Sequence, residues 1–275
     1  MGILENLKNT GFNFKKSLGQ NFIVDESYLE SVVNQIGLRP DDIVVEIGTG
    51  AGTLTRVLAR SVSKVITFEV DKGLEGILSK QFDGFANIQL VFEDALKISG
   101  ERLSELTGRR GYKLVANIPY YITTPLLLKF IRQSNCVDIC VLVQEELAQR
   151  IVAKPGGKNY GALSITMQAM AECKIIKKVP RGIFTPVPNV DSAFIKLQVT
   201  NDKLQTIEFD KLSELVKGLF SARRKTVLNG LSGLYGWTKE KAGEVLKNIG
   251  INETLRPEQI PVEKYLELVR IIDSE

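Results

Sequence analysis

Five short apolar runs, rich in β-branched residues, recur along the first half of the chain: IVVEI (43–47), KVITFE (64–69), IQLVF (88–92), KLVAN (113–117) and DICVLV (138–143). Segments of helical periodicity separate them, near 53–60, 72–82, 99–107 and 123–133. Alternation of this kind predicts a parallel sheet with crossover helices. The runs are continuously apolar, as expected of strands covered on both faces. The order changes after 170. CKIIKKV (173–179) and AFIKLQV (193–199) read as strands joined by PRGIFTPVPNVDS, in which no helix fits. They are expected as an antiparallel hairpin at the end of the sheet. Beyond about 204 the strand signals stop. Helical patterns follow near 208–221, 238–248 and 261–272, the last led by Pro261, which suits a first helical turn. The expected architecture is an α/β domain over residues 1–204 and a small all-α domain over 205–275.

Composition narrows the chemistry. The 275 residues are 44% hydrophobic and 25% charged, enough for a substantial core. No apolar run approaches the ~20 residues of a membrane span. The start, MGILENLKNTGF, lacks a signal-peptide core, and Asn6 breaks the myristoylation pattern. A soluble, cytoplasmic protein is the expectation. Cys136, Cys140 and Cys173 are odd in number and loosely spaced, so they read as buried hydrophobes rather than a disulfide framework. Histidine is absent, which excludes an imidazole base and His-ligated metals; no metal site is expected.

In VVEIGTGAGTLT, Gly48, Gly50 and Gly52 lie between a strand and a helix. Glycines there let backbone approach a ligand closely, and the helix start adds partial positive charge. Glu69 ends the second strand, where an acid suits the hydroxyls of a ribose. Asp94 follows the third strand, where a carboxylate can accept from an adenine amino group. The fourth strand ends at Asn117. In open α/β sheets ligands bind beyond the carboxyl ends of the strands, so these residues share one edge. The spacing is G-x-G-x-G and not the G-x-G-x-x-G of dinucleotide enzymes, which disfavours a nicotinamide dehydrogenase.

The fourth strand runs into NIPYYITTP (117–125). Adenine's exocyclic amino group is a poor nucleophile, because its lone pair is delocalised into the ring. Accepting hydrogen bonds from its two hydrogens localises that pair. The Asn117 side chain and the Ile118 carbonyl, held extended ahead of Pro119, are suited to do this. The Tyr120 ring can stack on a base taken out of its helix.

With these residues in view, the chain resembles the KsgA family of rRNA adenine dimethyltransferases. The matching pieces are LGQNFIVD (18–25), VVEIGTGAGTLT (44–55), FEVD (68–71), EDAL (93–96), NIPYYITTP (117–125), FTPVPNVDSA (184–193) and FSARRKT (220–226). The resemblance implies a Rossmann-like methyltransferase domain and S-adenosyl-L-methionine as donor. It implies as acceptor two adjacent adenines near the 3′ end of small-subunit (16S) rRNA, each methylated twice, within an immature ribosomal small subunit. A role in small-subunit biogenesis, a monomer and no membrane partner follow as expectations. By resemblance Asn21 and Ile23 close over the cofactor, Gly48 lies under its methionine part, Glu69 holds the ribose and Asp94 the adenine ring. Asn117, Ile118, Pro119 and Tyr120 form the catalytic motif, and Phe184 is implied as a second stacking face. Tyr121 stands where the family commonly has Asn, and Ile23 where it commonly has Leu. Two alternatives are a large-subunit (23S) rRNA adenine methylase of the macrolide-resistance type and an assembly factor that chiefly binds immature subunits. The FTPVPNVDSA loop, FSARRKT and the helical tail favour the small-subunit enzyme.

Net charge is only +4, but residues 147–182 hold seven basic groups, among them Lys154 and Lys158, against the single acid Glu172. Arg223, Arg224 and Lys225 form a second cluster in a tail that is neutral as a whole. Such patches favour a polyanion, and both are expected to hold the rRNA backbone.

Overall fold

A computed structural model of the chain describes residues 21–133, 135–200 and 206–274, so Leu18, Gly19 and Gln20 of the LGQNFIVD motif lie outside the described residues. In chain order the elements are β1 (Phe22–Ile23), α1 (Glu26–Ile36), β2 (Ile43–Ile47), α2 (Thr53–Ala59), β3 (Lys64–Phe68), α3 (Glu75–Gln81), β4 (Ile88–Val91), α4 (Gly100–Leu106), β5 (Tyr112–Asn117), α5 (Thr123–Ile131) and β6 (Cys136–Gln144). There follow α6 (Glu145–Ile151), α7 (Ala162–Gln168), β7 (Ala171–Val179), β8 (Phe184–Thr185), β9 (Ser192–Val199), α8 (Thr206–Ser221), α9 (Val227–Tyr235), α10 (Lys239–Asn248) and α11 (Val262–Ser274).

The main sheet has the order β4-β3-β2-β5-β6-β9-β7. The first five strands are parallel, and β9 runs antiparallel to β6, with Val141 opposite Ile195. The five sequence-predicted parallel strands are all present, and the hairpin strands lie side by side at the sheet's end. Residues such as Val44, Val65, Leu114 and Val141 are fully buried, which is why these strands read as unbroken apolar runs. Sequence order reverses between β2 and β5, so a crevice opens there at the carboxyl ends.

The chain divides into two compact units, residues 1–148 with 174–199 and residues 149–173 with 200–275. The sequence-based division at 204 assigns 149–173 to the first domain, whereas here that segment packs with the helical tail. Its anchors are long-range: the Tyr160 hydroxyl donates to the Ile260 carbonyl at 3.0 Å, and Gly156 N donates to Glu258 O at 2.7 Å. Helix α9 escapes the sequence pattern because its run, VLNGLSGLY, carries two glycines that dilute helical periodicity.

Helix α1 is fixed at both ends. Asp25 caps its start by accepting from Tyr28 N at 3.0 Å. At its end Lys113 donates to the Gly37 carbonyl (3.0 Å) and Lys196 to that of Ile36 (2.8 Å). Lys113 is buried and Lys196 half-buried, each beside a buried carboxylate, Asp42 at 2.7 Å and Asp138 at 3.4 Å, so neither charge is left unpaired. Glu26 pairs with Arg56 of α2. These ties hold the segment that leads into α1, residues 21–25, against the sheet edge.

Candidate active site

A cavity of about 420 Å³ lies at the carboxyl ends of β2, β3, β4 and β5, within the first unit. Asn21, Ile23, Gly48, Gly50, Glu69, Asp94, Asn117, Ile118, Pro119 and Tyr120 all line it, so ten of the eleven catalytic and cofactor residues expected from sequence meet in one place. Phe184 is the exception. Its side chain is only 2% exposed and packs in the core cluster with Ile23 and Leu29. Its backbone pairs with Ile23 through the two-stranded β1–β8 sheet. A ring buried there packs behind the segment that carries Ile23 and is not part of the cavity's lining in this structure, unlike the other ten.

The glycine loop is shaped by Glu69. One carboxylate oxygen accepts from Gly50 N (2.9 Å); the other accepts from Val70 N (2.9 Å) and Asp71 N (2.8 Å). Gly48 and Thr49 donate to Phe68 O, closing the loop on β3. Gly48 has φ +81° and Gly50 φ +55°, and a Cβ on Gly50 would meet the Phe22 ring at 2.7 Å. Glycine is required at Gly50 both for its left-handed backbone and because residue 22 packs directly on it. With three backbone bonds on four lone-pair positions, Glu69 keeps roughly one acceptor position for a ligand hydroxyl, not the two a free carboxylate offers.

Asp94 begins a tight turn. Its Oδ1 accepts from Leu96 N at 2.9 Å, and its side chain remains part-exposed to the cavity. Lys129 of α5 donates to Leu96 O at 2.7 Å and Ile98 O at 2.5 Å, pinning the loop from below. Burial lowers the Lys129 pKa, an effect opposed by the nearby Asp94 charge.

At the end of β5, Asn117 Nδ2 donates to the backbone carbonyl of Asn21 at 3.0 Å. That bond commits the amide nitrogen and turns the acceptor, Oδ1, to the cavity. Pro119 then starts a single 3₁₀ turn, residues 120–122, closed on its own carbonyl by Ile122 N at 3.1 Å. The Tyr120 hydroxyl and Ser192 Oγ are 2.7 Å apart, fixing the ring. Burial raises the Tyr120 pKa, against a smaller opposite effect of Ser192, so the phenol is neutral and no phenolate base is available at neutral pH. Cys140 and Cys173 are both pushed up to about 12 by burial and are equally unreactive.

Three supporting residues escape the sequence reading. Ser192 lies inside the FTPVPNVDSA motif, with nothing local to mark it as a partner of Tyr120. Lys129 gives no signal beyond a lysine in an apolar helix. Glu46 does give one, an acid in the strand IVVEI. It is fully buried; Thr55 Oγ1 donates to Oε2 at 2.6 Å, and Oε1 is without a partner. Complete burial pushes its pKa up to about 8, against the hydroxyls of Thr55 and Thr67, with a further upward push from the Glu69 charge.

Among the described residues the cavity's lining contains the carboxylates Glu69, Glu93 and Asp94 and neither lysine nor arginine. Such a lining suits a ligand with positive charge better than a pyrophosphate. Of the basic residues expected to meet RNA, Lys174, Lys177, Lys178 and Arg181 belong to the first unit and the others to the second. Lys154, Lys158, Arg223, Arg224 and Lys225 are all exposed in the second unit. Arg223 is partly committed there, donating to Tyr160 O at 3.2 Å and lying 5.6 Å over the Phe220 ring. No helix among the described residues is long and apolar enough to cross a membrane.

A family model described as ribosomal RNA adenine dimethylase matches residues 11–274. Among curated relatives, "Ribosomal RNA small subunit methyltransferase A" of Alkaliphilus metalliredigens is 41% identical over 263 residues, covering 94% of this chain and 92% of the relative. The protein of the same name from Clostridioides difficile is 39% identical, covering 98% and 94%. Among solved structures, a dimethyladenosine transferase from Plasmodium falciparum superposes with a TM-score of 0.78 at 25% identity, covering 91% of this chain and 96% of that one. The 23S rRNA methyltransferase ErmE reaches 0.72 at 24% identity, covering 92% and 99%, a likeness of fold.

Proposed function

The chain belongs to the ribosomal RNA adenine dimethylase family, and from that premise we propose how its residues carry out the reaction. The enzyme is an S-adenosylmethionine-dependent rRNA adenine dimethyltransferase acting on the small-subunit RNA, as its relatives' names have it. The finer reading is that the acceptors are two adjacent adenines near the 3′ end, each methylated twice on the exocyclic nitrogen. It also takes the substrate to be an immature small subunit in the cytoplasm, and the enzyme to act as a monomer.

S-adenosylmethionine supplies, when bound, an electrophilic methyl group on a sulfonium. The residues present fit it: Asp94 and Glu69 lie where an adenosine is expected, and the described lining brings three carboxylates and no lysine or arginine to a cationic ligand. Asn21 and Ile23 cover the cavity from the segment preceding α1. On the acceptor side, Asn117 Oδ1 and the Ile118 carbonyl take the two amino hydrogens of the adenine. The nitrogen lone pair is thereby localised and aimed outward. Tyr120, its ring held by Ser192, stacks on the flipped base. No general base is needed at the moment of attack; the amino proton is released to solvent afterwards. A chain without histidine can therefore run this chemistry.

The observation that carries this reading is the Asn117 amide, whose nitrogen is tied to Asn21 and whose oxygen is left to accept. The experiment is incubation with unmethylated small subunits and labelled donor, with mapping of the methylated nucleotides. Dimethylation of two adjacent adenines near the 3′ end is expected. Label confined to large-subunit RNA, or tight subunit binding with no transfer, would sink it.

A further inference from the structure

The Tyr121 ring is 63% exposed, although it sits on the rim of the cavity beside Asn117 and Tyr120. A large ring left in water is informative where a buried one is not. Tyr121 is not held there by a bond of its own: among the described residues its hydroxyl has no hydrogen-bond partner. Its backbone, by contrast, is rigid. Pro119 starts the turn, Ile122 N closes it at 3.1 Å, and Tyr120 beside it is anchored on Ser192. A 3₁₀ turn has three residues per revolution, so successive side chains diverge by roughly 120°. Tyr120 and Tyr121 therefore cannot face the same base.

The surroundings indicate what Tyr121 meets. Among the described residues the cavity's lining has no lysine or arginine to hold a phosphate, and the neighbouring Lys97 and Arg102 are paired with its carboxylates Asp94 and Glu93. The connection between β8 and β9, joined to the site through Ser192, carries Val187 and Val190 at 59% and 43% exposure. An exposed ring on a rigid turn, at a rim whose described lining lacks lysine and arginine, suits the face of a base.

We propose that Tyr121 is a second stacking platform, which takes the base of the nucleotide adjacent to the adenine in the site. This rests on the adenine reading above and deepens it: when the acceptors are neighbours, one base lies in the site on Tyr120 while the next is held at the rim on Tyr121. The ring costs little entropy to order, because its stalk is already fixed. Tyr121 binds substrate; it does not touch the reacting nitrogen.

The test compares wild type, Tyr121→Ala and Tyr121→Phe on unmethylated small subunits, with S-adenosylhomocysteine affinity measured by calorimetry. Loss of a stacked base corresponds to about 1–3 kcal/mol, so Tyr121→Ala should raise the KM for subunits roughly 5- to 150-fold. The effect falls on KM rather than kcat, Tyr121→Phe restores KM to within about twofold, and S-adenosylhomocysteine binds all three alike. An unchanged KM in Tyr121→Ala overturns the inference. So does an equal loss in Tyr121→Phe, which would assign the role to the hydroxyl, or a parallel loss of S-adenosylhomocysteine affinity, which would assign the ring to the cofactor. Wild-type enzyme that transfers no methyl group to rRNA would instead sink the adenine reading itself.

Discussion

Asn117 and Asn21, 96 positions apart in sequence, are joined by a 3.0 Å hydrogen bond from the Asn117 amide nitrogen to the Asn21 carbonyl. The bond does two things. It orients the acceptor oxygen of Asn117, and it ties the strand end proposed as catalytic to the cavity-lining segment that leads into α1. Asn117→Ala should therefore lower kcat by about 10²–10³, the usual cost of removing one preorganised transition-state interaction, with a smaller loss of cofactor affinity as residue 21 is released. Asn117→Asp keeps an acceptor but sets a carboxylate against the Asn21 carbonyl, and should be nearly as impaired. Steady-state kinetics decide: normal turnover with a raised KM would remove Asn117 from the chemistry.

Glu69 holds the glycine loop and is proposed to hold the ribose, and its variants should separate the two. Its three backbone bonds hold the glycine loop, so Glu69→Ala strands three backbone N–H groups and should lower the melting temperature as well as cofactor affinity. Glu69→Gln keeps one acceptor oxygen but presents an amide to donors, and should weaken S-adenosylmethionine binding by roughly tenfold or more. Calorimetry and thermal melts on both variants check this. Unaltered affinity in both would place the ribose elsewhere.

The parallel strands, the switch point and the residues lining the site are legible in the sequence because each rests on a local signal: apolar runs bounded by Gly48, Glu69, Asp94 and Asn117. What stays hidden depends on distant partners. Phe184 reads as a loop ring in FTPVPNVDSA, and nothing local shows that its strand pairs with Ile23 and that the ring is buried. The 149–173 segment follows a strand and precedes a strand, so it reads as part of the sheet domain. Long-range bonds such as Tyr160–Ile260, spanning 100 residues, and Gly156–Glu258 reveal its place with the tail. Glu46 is visible as an acid in an apolar strand, but its protonation follows from complete burial, which sequence does not give.

Glu46 makes the fold pH-sensitive from beneath the glycine loop. Its folded pKa of about 8 lies above the ordinary glutamate value of 4.5. The native state then holds the extra proton between those values, and stability falls as pH rises through the window. The contribution is fully present below about pH 4.5 and lost as pH passes 8. Glu46→Gln, which stays neutral and keeps an oxygen for Thr55, should differ little from wild type at pH 5. It should be more stable by on the order of a few kcal/mol at pH 9. Denaturant midpoints at the two pH values test this, and parallel curves would mean that Glu46 is ionised in the fold. With no histidine in the chain, no imidazole transition near pH 6.5 is expected in kcat.

RNA attachment by the second unit can be told apart from base stacking through salt. Phosphate contacts position the RNA, and each releases counterions; stacking releases almost none. Lys154, Lys158, Arg224 and Lys225 are exposed and suited to phosphates. Arg223 also donates to Tyr160 O and covers Phe220, so Arg223→Ala mixes weaker binding with weaker packing. The cleaner variant is Arg224→Ala with Lys225→Ala. It should weaken subunit binding and flatten the plot of log affinity against log salt by about 0.7 for each phosphate no longer neutralised, if the bound strand is single. Cofactor affinity and melting temperature should stay unchanged. Tyr120→Ala should lose about 1–3 kcal/mol of stacking with nearly the wild-type slope. Arg223→Ala should flatten the slope like the pair but also lower the melting temperature, since it unties Tyr160. If the Arg224/Lys225 variant keeps the wild-type slope, those side chains are merely solvated. The phosphates must then be met by other cations, Lys154 and Lys158 being the next to substitute.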